Sequence, residues 1–391
     1  MRVAYVTADF GVPVFGTNGS SAHVRAIVRA LRAQGATVDL FASRLDGPPP
    51  EDLADLRIIE LPRASRRLPQ AERERRAIAA NGVLASKLLA HGHYDLVYER
   101  HALWSAAGMT VARQQGIPGL LEVNAPLLEE TATFRTLVDH AAAERQVRRA
   151  FADASALLAV SGGVARYLDG FAAARGRVHI VPNGVEPGRF RPTERVRRAD
   201  DPLVLGFVGS LRPWHGLDSL VRATALLAGD RVPVRLLIVG KGPERERLEG
   251  LAADLGIADR IEWTGVLPES EVPRALARMD IAVAPYPALP GFYFSPLKLF
   301  EYMAAGLPVV TTAVGDLPQL VDDGRTGVLV PPDDPPALAR AIASLAAEPE
   351  RCRHLGAAAR ARVIERHSWQ ATAARILEIA GRSGAARGIA A

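Results

Sequence analysis

The chain has 391 residues, which favours two domains, and its 48% hydrophobic and 23% charged residues are typical of a globular protein. A formal net charge of +5 does not by itself indicate nucleic acid. The single cysteine, Cys352, excludes an intramolecular disulfide and fits a reducing cytoplasm. The start MRVAYVTADF becomes polar too soon for a signal peptide, and no apolar run is long enough for a membrane span. We therefore expect a cytoplasmic protein.

The first half of the chain alternates apolar runs with helical patterns. RVAYVTADF is followed by the loop GVPVFGTNGSS, the helical stretch AHVRAIVRALRAQG and a second apolar run, ATVDLFAS. The runs YDLVYE, IPGLLEV, ASALLAV and RVHIVP continue the series. Continuous apolar runs separated by helices indicate a parallel sheet covered on both faces.

The second half begins the same pattern again. PLVLGFVGS, VRLLIVG, RIEWTG, DIAVAPY, LPVVTT and TGVLVPP are predicted strands. Residues 181–202, rich in proline, glycine and charge, are the best candidate for a linker. The pattern predicts an α/β protein with two doubly wound domains of similar size. Because ligands of such sheets bind at the carboxyl ends of the strands, we expect a site in a cleft between the domains.

Two glycine-containing loops of the second half follow predicted strands and open helices. In residues 208–216, Gly209 and Gly216 permit close backbone approach, while Arg212 and His215 add cationic or donor groups. Backbone N–H groups and the dipole at such helix starts can hold an anion.

The second of these loops, residues 239–244, carries Lys241 between two glycines. One glycine-rich turn is weak evidence, but three such helix starts in one domain, counting the stretch described next, predict a bound phosphorylated ligand. Neither a Walker lysine–serine pattern nor a dinucleotide glycine fingerprint is present in the sequence.

The third helix start lies in residues 287–312. Ser295 and Pro296 are predicted as the N-cap and first residue of a helix, which places Lys298 at the third helical position. A lysine there opposes the helix dipole by roughly 0.3–1 kcal/mol unless an anion is near. It is therefore either a surface lysine or a phosphate ligand. Glu301, one turn on, could pair with Lys298, accept two ribose hydroxyls, or do both.

Basic residues cluster in two stretches, residues 61–82 and 189–198. Two interpretations remain open. The clusters are either a solvated helix and linker, or a patch for an anionic membrane surface or an acidic acceptor. The second interpretation would bring the protein to the inner face of the membrane as a peripheral protein.

The ordered motifs VPNGVEPGRF, FVGSLRPWHG, IVGKGPERERLE, PLKLFEYMAAGLPVV and LVDDGRTGVLVPPDDP resemble the retaining glycosyltransferases of family 4. The resemblance covers nearly the whole chain and is most specific in the second half. It implies the GT-B fold, in which two Rossmann-like domains face each other across a deep cleft. The implied acceptor domain is 1–184 plus a C-terminal helix at about 368–391, and the implied donor domain is 185–367.

The resemblance also implies roles for residues of the donor domain. Glu301 would hold the ribose hydroxyls, Lys298 and Arg212 would be catalytic cations on the diphosphate, and Val266 would contact the base. The other implied donor-binding positions are Gly209, Ser210, His215, Gly240, Lys241, Gly242, Tyr293, Phe294, Ser295, Pro296 and Leu297.

Three donor-domain positions depart from the family pattern. Tyr293 stands where the family has a second glutamate near the donor sugar, and Ser210 and His215 stand where it has an arginine and a lysine. Arg212 must then supply more of the positive charge. We interpret these departures as variation in donor choice.

In the acceptor domain, Asn124 follows the strand at which many family members keep a histidine. Asn124 and Glu122 are the predicted catalytic residues of this domain. The predicted acceptor-binding residues are Gly16, Asn18, Gly19, His23, Glu99 and Arg100.

The resemblance further implies a retaining, metal-independent reaction with no bound cofactor. The co-substrate would be a nucleoside-diphosphate sugar, with UDP as the first candidate. The acceptor would be a hydroxyl of a glycan, a lipid-linked sugar or a small molecule, with no nucleic acid involved. Two alternatives are a GT-B-type sugar-nucleotide epimerase and a non-catalytic nucleotide-sugar-binding partner subunit.

Overall fold

The computed structural model describes residues 1–65, 67–192, 201–289 and 291–388, with side chains up to residue 384. Residues 193–200, which include most of the second basic stretch and part of the predicted linker, and residue 66 of the first basic stretch lie outside the described residues. The chain folds as two units, each with its own core. The first unit comprises Met1–Asn183, Tyr293–Ser295 and the segment from Trp369, and the second comprises Gly184–Phe292 and Pro296–Ser368.

The first unit is built on a seven-stranded parallel sheet. Its strands are β1 (Arg2–Thr7), β2 (Thr37–Ala42), β3 (Arg57–Glu60), β4 (Leu96–Arg100), β5 (Gly119–Val123), β6 (Ala156–Ala159) and β7 (Val178–Ile180). Its helices are α1 (Gly19–Ala33), α2 (Gln70–Ala90), α3 (Ala107–Gln114), α4 (Leu127–Phe134), α5 (His140–Asp153), α6 (Gly162–Asp169) and α14 (Trp369–Gly388). The strand order is β3-β2-β1-β4-β5-β6-β7.

The second unit is built on a six-stranded parallel sheet in the order β10-β9-β8-β11-β12-β13. Its strands are β8 (Leu203–Val208), β9 (Val234–Val239), β10 (Ile261–Gly265), β11 (Ile281–Ala284), β12 (Val309–Thr312) and β13 (Val328–Val330). Its helices are α7 (Leu217–Gly229), α8 (Arg245–Asp254), α9 (Val272–Leu276), α10 (Leu297–Ala304), α11 (Leu317–Leu320), α12 (Pro335–Ala347) and α13 (Pro349–Arg366).

The central strands are mostly apolar because helices cover both faces of each sheet. In β1, the four residues Val3, Ala4, Tyr5 and Val6 are all completely buried. This burial explains why the strands are continuous apolar runs rather than alternating ones. The parallel α/β fold predicted from the sequence is confirmed for both units.

The strand order reverses direction beside the first strand of each unit. β1 lies between β2 and β4, and β8 lies between β9 and β11. Such a switch point opens a crevice at the carboxyl ends of the strands, where ligands of doubly wound sheets bind. We therefore expect ligands to bind at the loops that follow β1, β4, β8 and β11.

Two local details differ from the sequence prediction. The sequence pattern did not predict β3, whose four residues are a short run between charged neighbours. The predicted N-cap at Ser295 is wrong, because α10 begins at Leu297 with Pro296 as its cap. The hydroxyl of Ser295 instead accepts a hydrogen bond from the backbone N–H of Asn183 at 3.2 Å. None of the described helices combines the length and hydropathy needed to cross a bilayer.

Candidate functional site

The first turn of α10 in the second unit carries a buried lysine without a polar partner. Lys298 is only 8% exposed, and among the described residues its Nζ finds no hydrogen-bond partner. The ammonium lies 4.1 Å from the ring centroid of Phe207 and 5.5 Å from that of Tyr286. Burial lowers the pKa of Lys298 to about 7, although Glu301 opposes the shift. A lysine held in this way favours an incoming anion.

Helix α10 is fixed in place by its apolar side and by one polar contact. Leu299, Phe300 and Met303 are buried, with at most 2% exposure. The hydroxyl of Tyr302 accepts a hydrogen bond at 2.7 Å from the N–H of Val208, the last residue of β8. The helix start and the end of β8 are thus held together.

Glycines bring the loop after β8 against both the lysine and the loop after β9. Gly209 has φ of +149°, and a Cβ added to it would lie 2.7 Å from the Nζ of Lys298. A Cβ on Gly240 would lie 1.9 Å from the carbonyl oxygen of Gly209. Only residues without a side chain permit this close approach.

His215 lies beside Lys298 in the aromatic surroundings of the lysine. Its ring is 5.8 Å from that of Phe207 and 5.9 Å from that of Tyr286. Nδ1 donates to the carbonyl oxygen of Ser210 at 2.5 Å. Burial and the charge of Lys298 lower the pKa of His215 to about 3, so the ring is neutral and Nε2 is an acceptor.

The remaining cations of these loops are exposed. Arg212 lies with its guanidinium carbon 5.5 Å from the ring centroid of Trp214, and Lys241 projects from the loop after β9. The second unit therefore combines one buried cation with two exposed ones on glycine-rich loops. This arrangement suits a ligand with more than one phosphate.

Glu301 is placed one turn after Lys298 and is partly buried. Burial raises its pKa to about 7; Arg189 and Lys298 lower it, and Glu269 raises it further. Arg189 is engaged by Glu269, with 2.5 Å between guanidinium and carboxylate. Val266, which is 42% exposed, follows β10, whose last residue Gly265 accepts a hydrogen bond from the N–H of Gly240 at 2.8 Å.

Three of the predicted donor-binding residues, Tyr293–Ser295, belong to the first unit. The carbonyl oxygen of Tyr293 accepts from the hydroxyl of Ser161 at 2.6 Å, and its own hydroxyl donates to Glu130 at 3.1 Å. The rings of Tyr293 and Phe294 lie 4.5 Å apart. The contacts described for Tyr293 are thus with residues of its own unit.

In the first unit, polar side chains converge on the buried carboxylate of Glu122 at the end of β5. Oε1 accepts hydrogen bonds from Arg100 at 2.9 Å and from Asn124, and Oε2 accepts one from the hydroxyl of Tyr98. The Nε2 atom of His23 lies 3.5 Å from Oε2. Glu122 thus has close to the full set of partners that a carboxylate can accept.

The protonation states of this group follow from its contacts. Arg100 can only donate, so Nδ1 of His23, 3.2 Å away, is an acceptor and Nε2 carries the proton. Burial lowers the pKa of His23 to about 4. Burial acts to raise the pKa of Glu122, but His23, Arg100 and the hydrogen bonds outweigh it and keep the pKa below its ordinary value.

The other predicted acceptor-binding residues have different contacts. Glu99 is completely buried on the opposite face of β4, where Ser105 donates to it at 2.5 Å. Burial raises the pKa of Glu99 to about 7. Asn18 caps α1 by accepting from the N–H of Ser21 at 2.8 Å.

The glycines of this loop have backbone roles. Gly19 is the first residue of α1, and the carbonyl oxygen of Gly16 accepts from Arg25 at 2.8 Å. Arg25 also donates to the carbonyl oxygen of Val14 at 2.8 Å, so one buried side chain holds the loop that leads into α1.

Sequence reasoning missed Tyr98, Phe207 and Tyr286. Tyr98 shares a face of β4 with Arg100, and strand alternation could have indicated it. Phe207 and Tyr286 lie at the ends of β8 and β11, but their contact with Lys298 depends on packing between distant segments. Within the described ranges, no group of three or more His, Cys, Asp or Glu side chains is arranged to hold a metal ion.

Both halves of the chain match models of known protein families. The family model described as Glycosyltransferase Family 4 matches residues 17–189, and that described as Glycosyl transferases group 1 matches residues 202–348. A D-inositol 3-phosphate glycosyltransferase of Acidothermus cellulolyticus is 31% identical over 376 residues, covering 88% of this chain and 81% of the relative.

Two further similarities are informative. A GDP-mannose-dependent alpha-(1-6)-phosphatidylinositol monomannoside mannosyltransferase of Mycolicibacterium smegmatis is 33% identical over 226 residues, covering 55% of this chain and 58% of that protein. The structure of sucrose-phosphate synthase from Thermosynechococcus elongatus matches with a TM-score of 0.77 at 25% identity, over 99% of this chain and 100% of that one.

The two doubly wound sheets and these matches define an enzyme of the glycosyltransferase type with the GT-B fold. The chain belongs to glycosyltransferase family 4, as the sequence motifs predicted.

Proposed function

We propose that the enzyme transfers a sugar from a nucleoside-diphosphate sugar to an acceptor hydroxyl, with retention of anomeric configuration and without a metal ion. The observation that carries this proposal is the buried ammonium of Lys298 in the first turn of α10. A diphosphate at that position would receive a charged hydrogen bond and would replace the solvation that the lysine has lost.

The donor is held by residues of the second unit. Lys298, the start of α10 and Arg212 stabilise the charge that gathers on the departing diphosphate while the sugar becomes oxocarbenium-like. Glu301 holds the ribose hydroxyls one turn further along the helix. An ionised carboxylate accepts hydroxyl donors best, and the pKa of Glu301 is about 7, so this contact should strengthen as the pH rises through 7.

The base of the donor has two candidates. UDP is the first, because the family resemblance implies it. GDP is the second, supported by the name of the mannosyltransferase relative. The backbone beside Val266 would contact either base.

The acceptor hydroxyl is positioned by residues of the first unit. Glu122 is engaged by Arg100, Asn124 and Tyr98, so it orders these donors instead of removing a proton. His23 is a weak base, because burial lowers its pKa to about 4. The acceptor proton then passes to an oxygen of the departing phosphate, which gains basicity as the sugar leaves.

A thermal-shift screen of UDP- and GDP-sugars tests the donor assignment. We expect one nucleotide class to raise the melting temperature, and Glu301→Ala to weaken its binding by roughly 10-fold or more in calorimetry. Glu262→Ala, which removes an exposed carboxylate of β10 paired with Arg278, is the matched control. Unchanged affinity in Glu301→Ala would refute the ribose role.

A further inference from the structure

The first unit contains a cavity of about 530 Å³ at the carboxyl ends of β1 to β4. One face of α2 forms its wall, through residues such as Arg73, Ala77 and Leu84. These positions are four and seven residues apart, so they lie on the same side of the helix. The loops after the strands and the end of α4 complete the lining. The volume is that of a site for a small molecule.

The charged groups that line the cavity are mostly cationic. Three arginines, Arg63, Arg73 and Arg135, contribute to the lining, against one carboxylate, Asp9. That carboxylate already accepts a hydrogen bond from the N–H of Gly11 at 2.6 Å. The walls therefore attract a negatively charged group.

Arg73 has unused hydrogen-bonding capacity. Its Nη1 donates to Gln70 at 2.9 Å, but its Nε is buried with no partner among the described residues. In the same part of the chain, Arg75 and Arg76, which do not line the cavity, each pair with Glu72 at 2.8 Å. Buried guanidinium nitrogens are nearly always bonded. Because Arg73 also lines the cavity, its guanidinium has capacity left for a ligand held there.

Each of the other two arginines has an exposed side chain that contacts one carboxylate. Arg63 lies 3.6 Å from a carboxylate oxygen of Asp46, with its side chain 38% exposed. Arg135 donates to Glu130 at 2.9 Å from a side chain that is 59% exposed. Exposed pairs of this kind are weak and are readily exchanged for a ligand anion.

We propose that this cavity binds an acceptor that carries a phosphate group on a hydroxylated body, with the guanidinium of Arg73 as the anchor for the phosphate. The inference rests on the proposed glycosyl transfer and names the class of its acceptor. The planar fork of an arginine matches two phosphate oxygens, and Arg63 and Arg135 add charge at the same cavity. The basic stretch 61–82 thus contains exposed arginines that pair with Glu72 and one arginine, Arg73, that lines the cavity and would bind the phosphate. The phosphate is carried by a free polyol or by a lipid head group.

Calorimetric binding of phosphorylated polyols and their neutral counterparts tests this proposal. The probes are glycerol 3-phosphate, glucose 6-phosphate and inositol monophosphate, each against the unphosphorylated compound. We expect at least one phosphorylated probe to bind wild type at least about tenfold more tightly than its neutral counterpart. Arg73→Gln should remove this preference, and Arg73→Lys should restore only part of it because the fork is lost.

Two control variants locate the binding. Arg75→Gln, which removes an exposed arginine of the same helix, should bind as wild type. Lys298→Ala should also retain binding of these probes, which excludes the donor phosphate site as their location. Intact melting transitions of all variants exclude misfolding as the cause of lost binding.

Vesicles distinguish the two sources of the phosphate. Flotation with phosphatidylcholine vesicles holding about 30% phosphatidylinositol or phosphatidylglycerol should depend on Arg73 if the acceptor is a lipid. Equal binding by wild type and Arg73→Gln in every arm would overturn the proposal. Failure of the proposed function is seen separately, as the absence of any response to UDP- or GDP-sugars.

Discussion

Among single residues, Lys298 gives the strongest indication of an anion-binding site. A lysine in the first turn of a helix is unfavourable, and this one has also lost its water and faces two aromatic rings. Cation–π contacts offset only about 0.5–2 kcal/mol of such a cost. The residue is therefore held ready for an anion, at the expense of stability in the free protein.

This lysine should take up a proton when the nucleotide binds. Its pKa of about 7 lies below the ordinary value of 10.5, so at about pH 8.5 most free molecules carry neutral Lys298. A diphosphate favours the charged form and raises the pKa, so binding draws in up to about one proton. Calorimetry of UDP or GDP binding in two buffers of different ionisation enthalpy measures this uptake.

The control for proton uptake is Lys298→Arg, whose side chain is charged throughout and should bind without taking up a proton. Glu301, with a pKa near 7, is already ionised at this pH and does not mask the effect. Binding to wild type without proton uptake would refute the contact between Lys298 and the diphosphate.

Removing the carboxylate of Glu122 should destabilise the first unit. Glu122→Ala leaves Arg100, Asn124 and Tyr98 without their shared acceptor, at a cost of about 3–5 kcal/mol. Scanning calorimetry should show a lower melting temperature for this variant than for wild type. Glu144→Ala, which removes an exposed partner of Arg148 on α5, should cost no more than about 1 kcal/mol. Equal melting of both variants would contradict the account of the buried group.

At the level of secondary-structure elements, the proposed donor site depends on how closely the loops after β8 and β9 approach α10. Gly209→Ala would place a methyl group 2.7 Å from the Nζ of Lys298 in a backbone conformation that alanine rarely adopts. We expect nucleotide affinity to fall at least about tenfold, because the ammonium is displaced. Calorimetric titration with UDP and GDP measures the loss.

The matched control is Gly256→Ala at the end of α8. Gly256 also has a positive φ, +68°, but no atom lies within 4 Å of an added Cβ. This variant should lose roughly 1 kcal/mol of stability and bind nucleotide as wild type. If both alanine variants bound equally well, steric access to Lys298 would not be what Gly209 provides.

Helix α10 and the residues before it could be predicted only in part from the sequence. The clash between Lys298 and the helix dipole is local, so the sequence revealed it. The cap at Ser295 was predicted wrongly because a distant residue, Asn183, donates to that hydroxyl. The contacts of Tyr293 with Ser161 and Glu130 could not be predicted from the sequence, because they depend on the tertiary fold.

At the scale of the whole molecule, the apolar runs predicted two doubly wound sheets because each strand is buried on both faces. The short strand β3 was missed because its burial depends on pairing with β2. The basic stretch 61–82 could not be divided from sequence alone. In the folded chain Arg73 lines the cavity, whereas Arg75 and Arg76 pair with Glu72, and this difference depends on tertiary packing.

We propose above all that the enzyme transfers sugar from a nucleoside diphosphate held by Lys298. Release of nucleoside diphosphate, measured with the donor chosen by thermal shift and with the acceptor panel above, tests it most directly. We predict acceptor-dependent release by wild type and by Lys87→Ala, a control on α2, and a loss of at least about 100-fold in Lys298→Ala with the fold intact. A near-normal rate in Lys298→Ala would show that Lys298 does not hold the diphosphate. Release that no acceptor increases would contradict the proposed sugar transfer.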